Sequence, residues 1–392
     1  MDDFRVDAAP SLADVVAAPA EYREQIIAEM RLSLEQAFAD ARTALAVATP
    51  LEELRGQIEY HLGWRHQDLS LADGQRGKLL RPTLTLLACM FVAGRADNRG
   101  LVYEQLTRRA AVAGASIELV HNFSLIHDDI EDNDEERRHR PTLWKLWGVP
   151  LAINTGDTIL AIGRLTLWRL PDTGMRPDDV FPLADSLDRA TLRMCEGQFL
   201  DLRFEGRLDV STGMYMDMIG RKTAALMACA TQMGSLLGSD DPDLSAMLAE
   251  FGRRLGLAFQ LRDDLLGIWA TTHELGKQPA GDLQRKKITL PVICAMERAT
   301  PADQDRLTRL YADRNPATDQ QIADTLAILE RTGARQAATE AVAEQVDAAR
   351  QVLDATARRV FSPDSSASAG ASQSRGAYHH LAAMLDGIAH SA

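Results

Sequence analysis

The stretch that decides the fold is Leu101–Ile130, LVYEQLTRRAAVAGASIELVHNFSLIHDDI. Its apolar residues recur at three- and four-residue spacing without a proline, which is typical of a long helix with a buried face. The same spacing recurs in Pro19–Val47, Phe181–Phe204, Met214–Leu237 and Asp243–Trp269. β-Branched runs are scarce, and no alternating strand pattern persists. The sequence therefore predicts an all-α protein with a single domain.

The two ends of the chain differ in composition from this helical body. Residues 1–20 are rich in Ala, Asp and Pro without clear periodicity, which indicates a mobile arm. Residues 362–375 are rich in serine and indicate a flexible linker. We therefore expect the helical domain to span residues 21–361, and residues 376–392 to form a short helix that can dock back on it.

Charge and composition exclude several classes of protein. The formal net charge is −13, whereas a nucleic-acid binder usually has a basic face. The longest apolar stretch, Leu84–Gly94, is about half the length that a bilayer requires. The N-terminus is acidic and lacks the features of a signal peptide. The 4 cysteines lie far apart without a CxxC pair, so we expect buried, reduced thiols in a cytoplasmic protein.

The sharpest chemical motif is HDDIEDNDEERRHRPT, His127–Thr142. Asp128 and Asp132 are four residues apart, so on a helix both carboxylates lie on one face about one turn apart. Mg²⁺ prefers oxygen ligands and keeps positions open for substrate phosphates. A solvated acidic helix end is the alternative. The apolar residues before the motif and the adjacent arginines after it favour a cation site.

A second acidic pair, Asp263 and Asp264, interrupts the otherwise apolar stretch Phe259–Trp269. Ionised carboxylates are costly to bury without a partner, so we expect this pair to meet a cation; a plain surface turn is the alternative. Basic residues cluster in GKLLRP (Gly77–Pro82) and in LGKQPAGDLQRKKITLP (Leu275–Pro291). Together these groups suggest two polyphosphate sites, one clamped by metal and carboxylates and one by direct Arg and Lys contacts.

The order of these motifs resembles that of the trans-isoprenyl diphosphate synthases, the polyprenyl synthetase family. GKxxRP, ELVHNFSLIHDDIED, RRHRPT, GQFLD, KT, FQxxDD and LGK…DL…KK…TLP follow one another as they do in that family, over nearly the whole chain. The resemblance implies an all-α helical bundle of the isoprenoid synthase type with a central catalytic cavity. It also implies a homodimeric, Mg²⁺-dependent prenyltransferase that condenses isopentenyl diphosphate with an allylic diphosphate into an all-trans chain.

The resemblance also assigns roles to individual residues. The residues that it implies as ligands of three Mg²⁺ are Asp128, Asp132 and Asp263. Those that match the grip on the allylic diphosphate are Arg137, Lys222, Lys277 and Lys287. Those that match the metal-free pocket for isopentenyl diphosphate are Lys78, Arg81, His121 and Arg138. Thr223 and Gln260 match positions that border the allylic carbons.

Two further residues bear on the product and on the second motif. Phe123 lies about 7.5 Å down the helix axis from Asp128. In the family, one aromatic residue at this position resembles the C20 type, geranylgeranyl diphosphate synthase; simple core packing of Phe123 is the alternative. Gly267 departs from the family, in which many members carry a third aspartate at this position. We expect weakened metal support there rather than lost activity.

Two other functions stay open at this point. A class I terpene cyclase shares the fold and the first metal motif, but it would not need a pocket for isopentenyl diphosphate. A non-catalytic subunit of a heteromeric prenyl synthase would have shed part of the machinery, and Gly267 gives that alternative some support. The retained aspartates and lysines speak against it.

Overall fold

The computed structural model describes residues 20–44, 49–72, 77–94, 102–269, 280–313, 315–361 and 371–390. Residues 1–19 of the predicted arm, residues 362–370 of the predicted linker and Lys277 lie outside the described residues.

Helices form nearly all of this structure, which confirms the all-α prediction. The first helices are α1 (Ala20–Ala44), α2 (Thr49–His61), α3 (Leu80–Val92), α4 (Tyr103–Glu131), α5 (Leu143–Trp147), α6 (Val149–Leu167) and α7 (Phe181–Phe204). The next are α8 (Thr212–Ile219), α9 (Ala225–Gly238), α10 (Pro242–Trp269), α11 (Gly281–Gln284) and α12 (Leu290–Arg298). The last are α13 (Pro301–Ala312), α14 (Asp319–Arg331), α15 (Ala334–Val360) and α16 (Ala371–His390). The strands β1 (Glu136–Arg137) and β2 (Arg140–Pro141) form a short antiparallel hairpin.

The helix that the opening stretch predicts, α4, lies at the centre of the bundle. Its middle is apolar on nearly every side, and Ala110, Ala113, Ile117 and Val120 are completely buried. A helix that is apolar all round belongs in a core. It packs against α1, α3, α6 and α9, so the acidic motif at its C-terminal end is carried by a buried element.

Two glycines bring α9 into backbone contact with α3. A Cβ at Gly234 would lie 2.2 Å from the carbonyl oxygen of Thr85, and one at Gly238 would lie 2.4 Å from that of Cys89. Real Cβ atoms do not approach other atoms this closely, so each position requires glycine. On its other side α9 packs against α10, which in turn packs against α15. These helices form the wall that carries the second acidic pair.

Apart from shifts of a few residues at helix ends, two predicted segments differ from the structure. Met214–Leu237 is not one helix, because a π-helical turn at Gly220–Ala224 separates α8 from α9. The C-terminal helix α16 begins at Ala371, so residues 371–375 of the predicted linker are helical. As expected, α16 docks back on the body, against α3 and α15. The Ser374 hydroxyl donates a hydrogen bond to the carbonyl oxygen of Phe91.

All four thiols are free, and Cys89, Cys229 and Cys294 are buried as predicted. Cys195 is exposed, which the sequence did not predict. Within the described ranges, no helix combines the length and the apolar character that a membrane span requires.

Candidate active site

A cavity of about 810 Å³ opens between α3, α4, α7, the π-helical turn and α10. The predicted site residues that line it are Lys78, Arg81, His121, Phe123, Asp128, Arg137, Arg138, Lys222, Thr223, Gln260 and Asp263. Asp132 and Lys287 are not part of the lining, but each interacts electrostatically with the groups around it. Residues that are far apart in the sequence therefore meet around one cavity.

The first acidic motif ends α4. The amide of Asp132, the residue that follows the helix, donates a hydrogen bond to the carbonyl oxygen of Asp128 at 2.8 Å. Burial raises the pKa of Asp128 to about 6, and the charges of Asp132 and Glu131 add to this effect, while Lys222 and Arg137 oppose it. These carboxylates destabilise one another's charge, so a bound cation would relieve the repulsion.

The middle aspartate of the motif has a different role. Asp129 is 3% exposed, and its Oδ1 lies 2.6 Å from Nε of Arg137. Burial raises the pKa of Asp129 to about 6, and the charge of Arg137 and the hydrogen bond from it oppose the shift. Asp129 therefore holds the arginine that follows the motif.

Arg137 and Arg138 belong to the hairpin between β1 and β2, an element that the sequence did not predict. Its turn consists of Arg138 and His139, with φ of 53° and 60°. Two-residue hairpin turns favour such left-handed residues, but Asn and Gly adopt them at lower cost. Arg140 supports the strained turn, because its guanidinium stacks 4.0 Å from the ring centroid of Tyr60 and donates a 2.6 Å hydrogen bond to the carbonyl oxygen of Arg65.

The GQFLD motif on α7 positions Lys222. A Cβ at Gly197 would lie 2.2 Å from the backbone nitrogen of Lys222, so only glycine lets α7 contact the π-helical turn this closely. Asp201, one turn further along α7, accepts a hydrogen bond from Nζ of Lys222 at 2.6 Å. The same turn carries Thr223, whose hydroxyl donates to Oε1 of Gln260 at 2.8 Å.

The two aspartates of the second motif point in different directions. Asp263 lines the cavity with 48% of its side chain exposed, although the surrounding protein raises its pKa to about 6 by desolvation. Asp264 is buried, accepts a hydrogen bond from the hydroxyl of Tyr215, and accepts another from Nε2 of Gln260 at 3.2 Å. Burial raises the pKa of Asp264 to about 7, against both hydrogen bonds. Asp264 does not line the cavity: its hydrogen-bond partners are Tyr215 and Gln260, and the cation that favours its charged form is Lys287.

The basic residues that follow the second motif have different partners. Burial opposes the charge of Lys287, but Asp201, Asp282, Asp264 and Asp132 together raise its pKa. Two neighbouring cations have other partners. Arg285 forms an ion pair with Asp134 at 3.1 Å, and Nζ of Lys286 donates to the carbonyl oxygen of Asp313 at 2.9 Å.

The predicted metal-free pocket contains a carboxylate to which the sequence analysis assigned no role. Glu118 is 5% exposed and lines the cavity beside Arg81 and His121. Burial raises the pKa of Glu118, and the charges of Arg81 and Arg138 oppose that shift. Burial and the charges of Arg81 and Arg138 lower the pKa of His121 well below its usual value. His121 is therefore neutral near pH 7, and the positive charge of the pocket comes from its Arg and Lys residues.

The donor set fits Mg²⁺. Asp128, Asp132 and Asp263 offer carboxylate oxygens, and Asp128 and Asp263 face the cavity. Mg²⁺ accepts one or two carboxylates and completes its shell with water and phosphate oxygens. Within the described part of the chain, no three His, Cys, Asp or Glu side chains converge into a preformed metal site. The carboxylates would therefore hold the ion together with water or substrate oxygens.

Comparison with known proteins gives the family. The family model described as Polyprenyl synthetase matches residues 69–329. The chain belongs to this family. Two relatives come from Mycobacterium tuberculosis. One, named geranylgeranyl diphosphate synthase, is 36% identical over 333 residues, covering 84% of this chain and 90% of the relative. The other, named (2E,6E)-farnesyl diphosphate synthase, is 36% identical over 309 residues, covering 78% and 80%.

A solved polyprenyl synthetase from Streptomyces coelicolor A3(2) has the same fold. It superposes with a TM-score of 0.76 at 30% identity, covering 94% of this chain and 97% of that one. The helices described above are thus those of a trans-isoprenyl diphosphate synthase. As a member of the Polyprenyl synthetase family, the chain is a prenyltransferase enzyme. Sequence reasoning assigned no role to four residues of the site, which are Glu118, Asp201, Tyr215 and Asp282. Three of them lie within motifs quoted above, since Glu118 begins ELVHNFSLIHDDIED, Asp201 ends GQFLD and Asp282 is the acid of DL. Tyr215 belongs to none of these motifs.

Proposed function

We propose that the protein condenses isopentenyl diphosphate with an allylic diphosphate to elongate an all-trans prenyl chain, with Mg²⁺ as cofactor and geranylgeranyl diphosphate (C20) as product. The observation that carries this proposal is a single cavity lined by two separated acidic motifs, a set of Arg and Lys side chains and apolar groups. This division of charges suits two diphosphates. One would bind through metal ions held by the acidic motifs, and the other would bind Arg and Lys side chains directly.

The allylic diphosphate would bind between the two acidic motifs. Asp128, Asp132 and Asp263 would hold up to three Mg²⁺ there, which when bound neutralise the leaving diphosphate. Arg137, Lys222 and Lys287 supply fixed positive charge, and Lys277 would add to it. Asp129 and Asp201 orient the first two of these cations by their 2.6 Å contacts. Cations that are already oriented stabilise the leaving diphosphate without reorganisation during the reaction.

Isopentenyl diphosphate would bind the cationic pocket of Lys78, Arg81 and Arg138. Glu118 lies among these arginines and balances part of their charge while the pocket is empty. His121 is neutral there, so it would donate a hydrogen bond to a phosphate oxygen rather than add charge. This pocket is what distinguishes a chain-elongating synthase from a terpene cyclase.

The bonds formed and broken in the reaction balance without a side-chain nucleophile. The allylic C–O bond breaks, and its electron pair leaves with the diphosphate. The double bond of isopentenyl diphosphate then attacks the allylic cation, and the departed diphosphate accepts the proton whose loss forms the new alkene. Thr223 and Gln260 border the cation, and their mutual hydrogen bond keeps their polar atoms occupied. Apolar side chains of the cavity exclude water that would quench the cation.

Phe123 supports the C20 product. It lines the cavity below Asp128, is 7% exposed, and meets the ring of His127 edge-on with centroids 4.9 Å apart. His127 is itself fixed, because a Cβ at Gly156 would lie 2.5 Å from its Nε2. A supported aromatic ring makes a firm floor for the growing chain. The two relatives are named for different products but are equally identical to this chain, so overall similarity does not decide the product. The observation that favours C20 is Phe123.

A homodimer fits an apolar surface on α6 and α7. Leu151, Leu165, Leu192 and Phe199 are 48%, 58%, 61% and 64% exposed. Exposed apolar groups of this size mark interaction surfaces when they cluster. Light scattering would give the mass in solution, and Leu192→Asp would shift a dimer towards the monomer.

The decisive experiment supplies purified protein with Mg²⁺, labelled isopentenyl diphosphate and C5, C10 or C15 allylic primers, and measures product length. We expect elongation to C20 and its loss when Mg²⁺ is chelated. Absence of elongation with every primer would overturn the proposal and favour a non-catalytic subunit. A cyclic hydrocarbon from an allylic diphosphate alone would favour a cyclase.

A further inference from the structure

Gly267, where the second acidic motif departs from the family pattern, lies against Asp282. A Cβ at position 267 would lie 2.0 Å from Oδ2 of Asp282 and 2.6 Å from its Cγ. Both distances are far shorter than any van der Waals contact. The carboxylate of Asp282 therefore occupies the space that a side chain at position 267 would take.

The backbone of the following segment fixes Asp282 in this place. Ala280 adopts a left-handed conformation with φ of 57° and starts the short helix α11, which carries Asp282. The amide of Lys287 donates a hydrogen bond to the carbonyl oxygen of Asp282 at 2.9 Å. This hydrogen bond ties Asp282 to Lys287, although neither is on the helix that carries the motif.

Asp282 is also part of the charge network around Lys287. Among the four carboxylates that favour the charged form of this lysine, the effect of Asp282 is second to that of Asp201. Asp282 also adds to the negative potential at Asp263 and Asp264. It lies close enough to the second motif to act on it from outside the helix.

We propose that Asp282 supplies the carboxylate that the second acidic motif lacks at position 267, and that it positions Lys287, while Gly267 leaves the space in which this carboxylate lies. The role of Lys287 in holding the allylic diphosphate rests on the function proposed above. The pair Gly267 and Asp282 forms one unit, so the family's aspartate at position 267 would displace Asp282 and weaken the site rather than repair it.

The first test measures melting temperatures of the metal-free, full-length chain and needs no substrate. Alanine is a better helix former than glycine, so Gly267→Ala should raise the melting temperature wherever its Cβ has room. We expect it to lower the melting temperature of the wild type, because the Cβ displaces Asp282, and to raise that of the Asp282→Ala variant. Equal shifts in both backgrounds would overturn the proposal.

Gly281→Ala is the matched control. Gly281 precedes Asp282, and a Cβ there would meet no atom of the described residues within 4 Å. We expect this variant to melt at the wild-type temperature or slightly above it and to bind ligand like the wild type. A loss in Gly281→Ala as large as that in Gly267→Ala would overturn the proposal, because any added methyl group in the region would then have the same effect.

The second test measures binding of inorganic diphosphate with Mg²⁺ by calorimetry. We expect Asp282→Asn and Gly267→Asp each to weaken diphosphate binding about 10- to 100-fold. This is the usual effect of losing a group that orients the side chains that bind the metal. The exchanged variant, Gly267→Asp with Asp282→Gly, should recover most of this loss. Binding by Gly267→Asp as tight as in the wild type, or no recovery in the exchanged variant, would overturn the proposal.

Steady-state kinetics separates this role from a general structural one. In Asp282→Asn the KM for the allylic substrate should rise, while the KM for isopentenyl diphosphate stays within about twofold, since Lys78 and Arg81 are untouched. Equal rises in both KM values would overturn the positioning role. If the wild type proves inactive as a synthase, the proposed function fails, whereas the melting experiment still decides whether Gly267 and Asp282 share one space.

Discussion

Asp129 and Arg137 form a half-buried ion pair at the end of α4, with Nε of the arginine 2.6 Å from Oδ1 of the aspartate. The pair joins the central helix to the hairpin, and it separates Asp129 from its neighbours in function. Asp128 lines the cavity, whereas Asp129 lines a small adjoining pocket together with His61 and Arg138. Three aspartates of one motif therefore serve two purposes, and two substitutions distinguish them.

Asp129→Asn should cost affinity more than stability. The amide cannot balance the charge of Arg137, but burial already raises the pKa of Asp129 to about 6, so removal of its charge offsets the lost ion pair. We therefore expect the free energy of unfolding at pH 7 to change by less than about 1 kcal/mol. The KM for the allylic substrate should rise about tenfold as Arg137 loses its orientation. Urea unfolding and steady-state kinetics measure the two effects.

Asp128→Asn is the matched control for that variant. Its carboxylate is ionised at pH 7 against the effect of burial, so the amide should leave stability unchanged or raise it. Turnover should fall at least about 100-fold because the proposed metal ligand is lost. Identical profiles for the two variants would contradict the division of roles between Asp128 and Asp129.

Periodicity could predict the helices but not the irregular turns. The bounds of Phe181–Phe204 agree with α7 at both ends because Pro182 starts the helix and Gly206 follows it. Met214–Leu237 continues its apolar spacing through the π-helical turn, which inserts a residue without a proline or other sequence signal. The hairpin was also missed, because Arg138 and His139 are not residues that usually indicate a two-residue turn.

The site was predictable where a motif supplies the chemistry, and not where a distant residue completes it. Asp128 and Asp263 can be recognised from the sequence because each is an acid beside apolar residues. Nothing local indicates that Asp264 turns towards Tyr215, forty-nine positions earlier, or that Asp282 fills the space at Gly267. Such contacts depend on how helices pack, and a single sequence does not encode that packing as a local pattern.

Tyr215→Phe tests the network behind the second motif. The tyrosine hydroxyl donates to Asp264, which also accepts from Gln260, and Gln260 accepts from Thr223. Loss of one donor to a buried carboxylate should lower the free energy of unfolding by about 1–3 kcal/mol. Turnover should fall only several-fold, because Asp263 stays in place. Urea unfolding at pH 7 and product assays would measure both.

The control for Tyr215→Phe is Tyr103→Phe, at a tyrosine that is 52% exposed. We expect it to behave like the wild type in both measurements. A Tyr215→Phe protein as stable as this control would show that the hydroxyl contributes nothing to the second motif.

Phe123→Ala should lengthen the product. Removal of the ring opens the cavity below Asp128 and leaves His127 without its edge-on contact. We expect products beyond C20 from the same primers, detected by chromatography, with stability lowered by about 3 kcal/mol because a buried aromatic ring is lost. Ser124→Phe, which adds a second aromatic residue next to the first, should shorten the product towards C15. Unchanged product length in both variants would leave Phe123 as core packing alone.

His61→Gln should reduce the fall in the free energy of unfolding that occurs as the pH is lowered. His61 ends α2, lines the small pocket beside Arg137 and Arg138, and its Nε2 has no hydrogen-bond partner among the described residues. Burial and the two arginines lower its pKa to about 3 from an ordinary value of 6.5. Between these values the unfolded chain binds a proton that the folded protein does not, so the stability contributed by neutral His61 is lost as pH falls below 6.5.

From pH 7 to pH 5 this loss amounts to about 2 kcal/mol in the wild type. Asp128 and Asp129, whose pKa values are raised, act in the opposite direction over the same range, so only the difference between wild type and variant isolates His61. We expect His61→Gln to lose about 2 kcal/mol less than the wild type in urea unfolding. His66→Gln, at an exposed histidine, should follow the wild-type curve. Parallel curves for His61→Gln and the wild type would show that His61 is protonated in the folded protein.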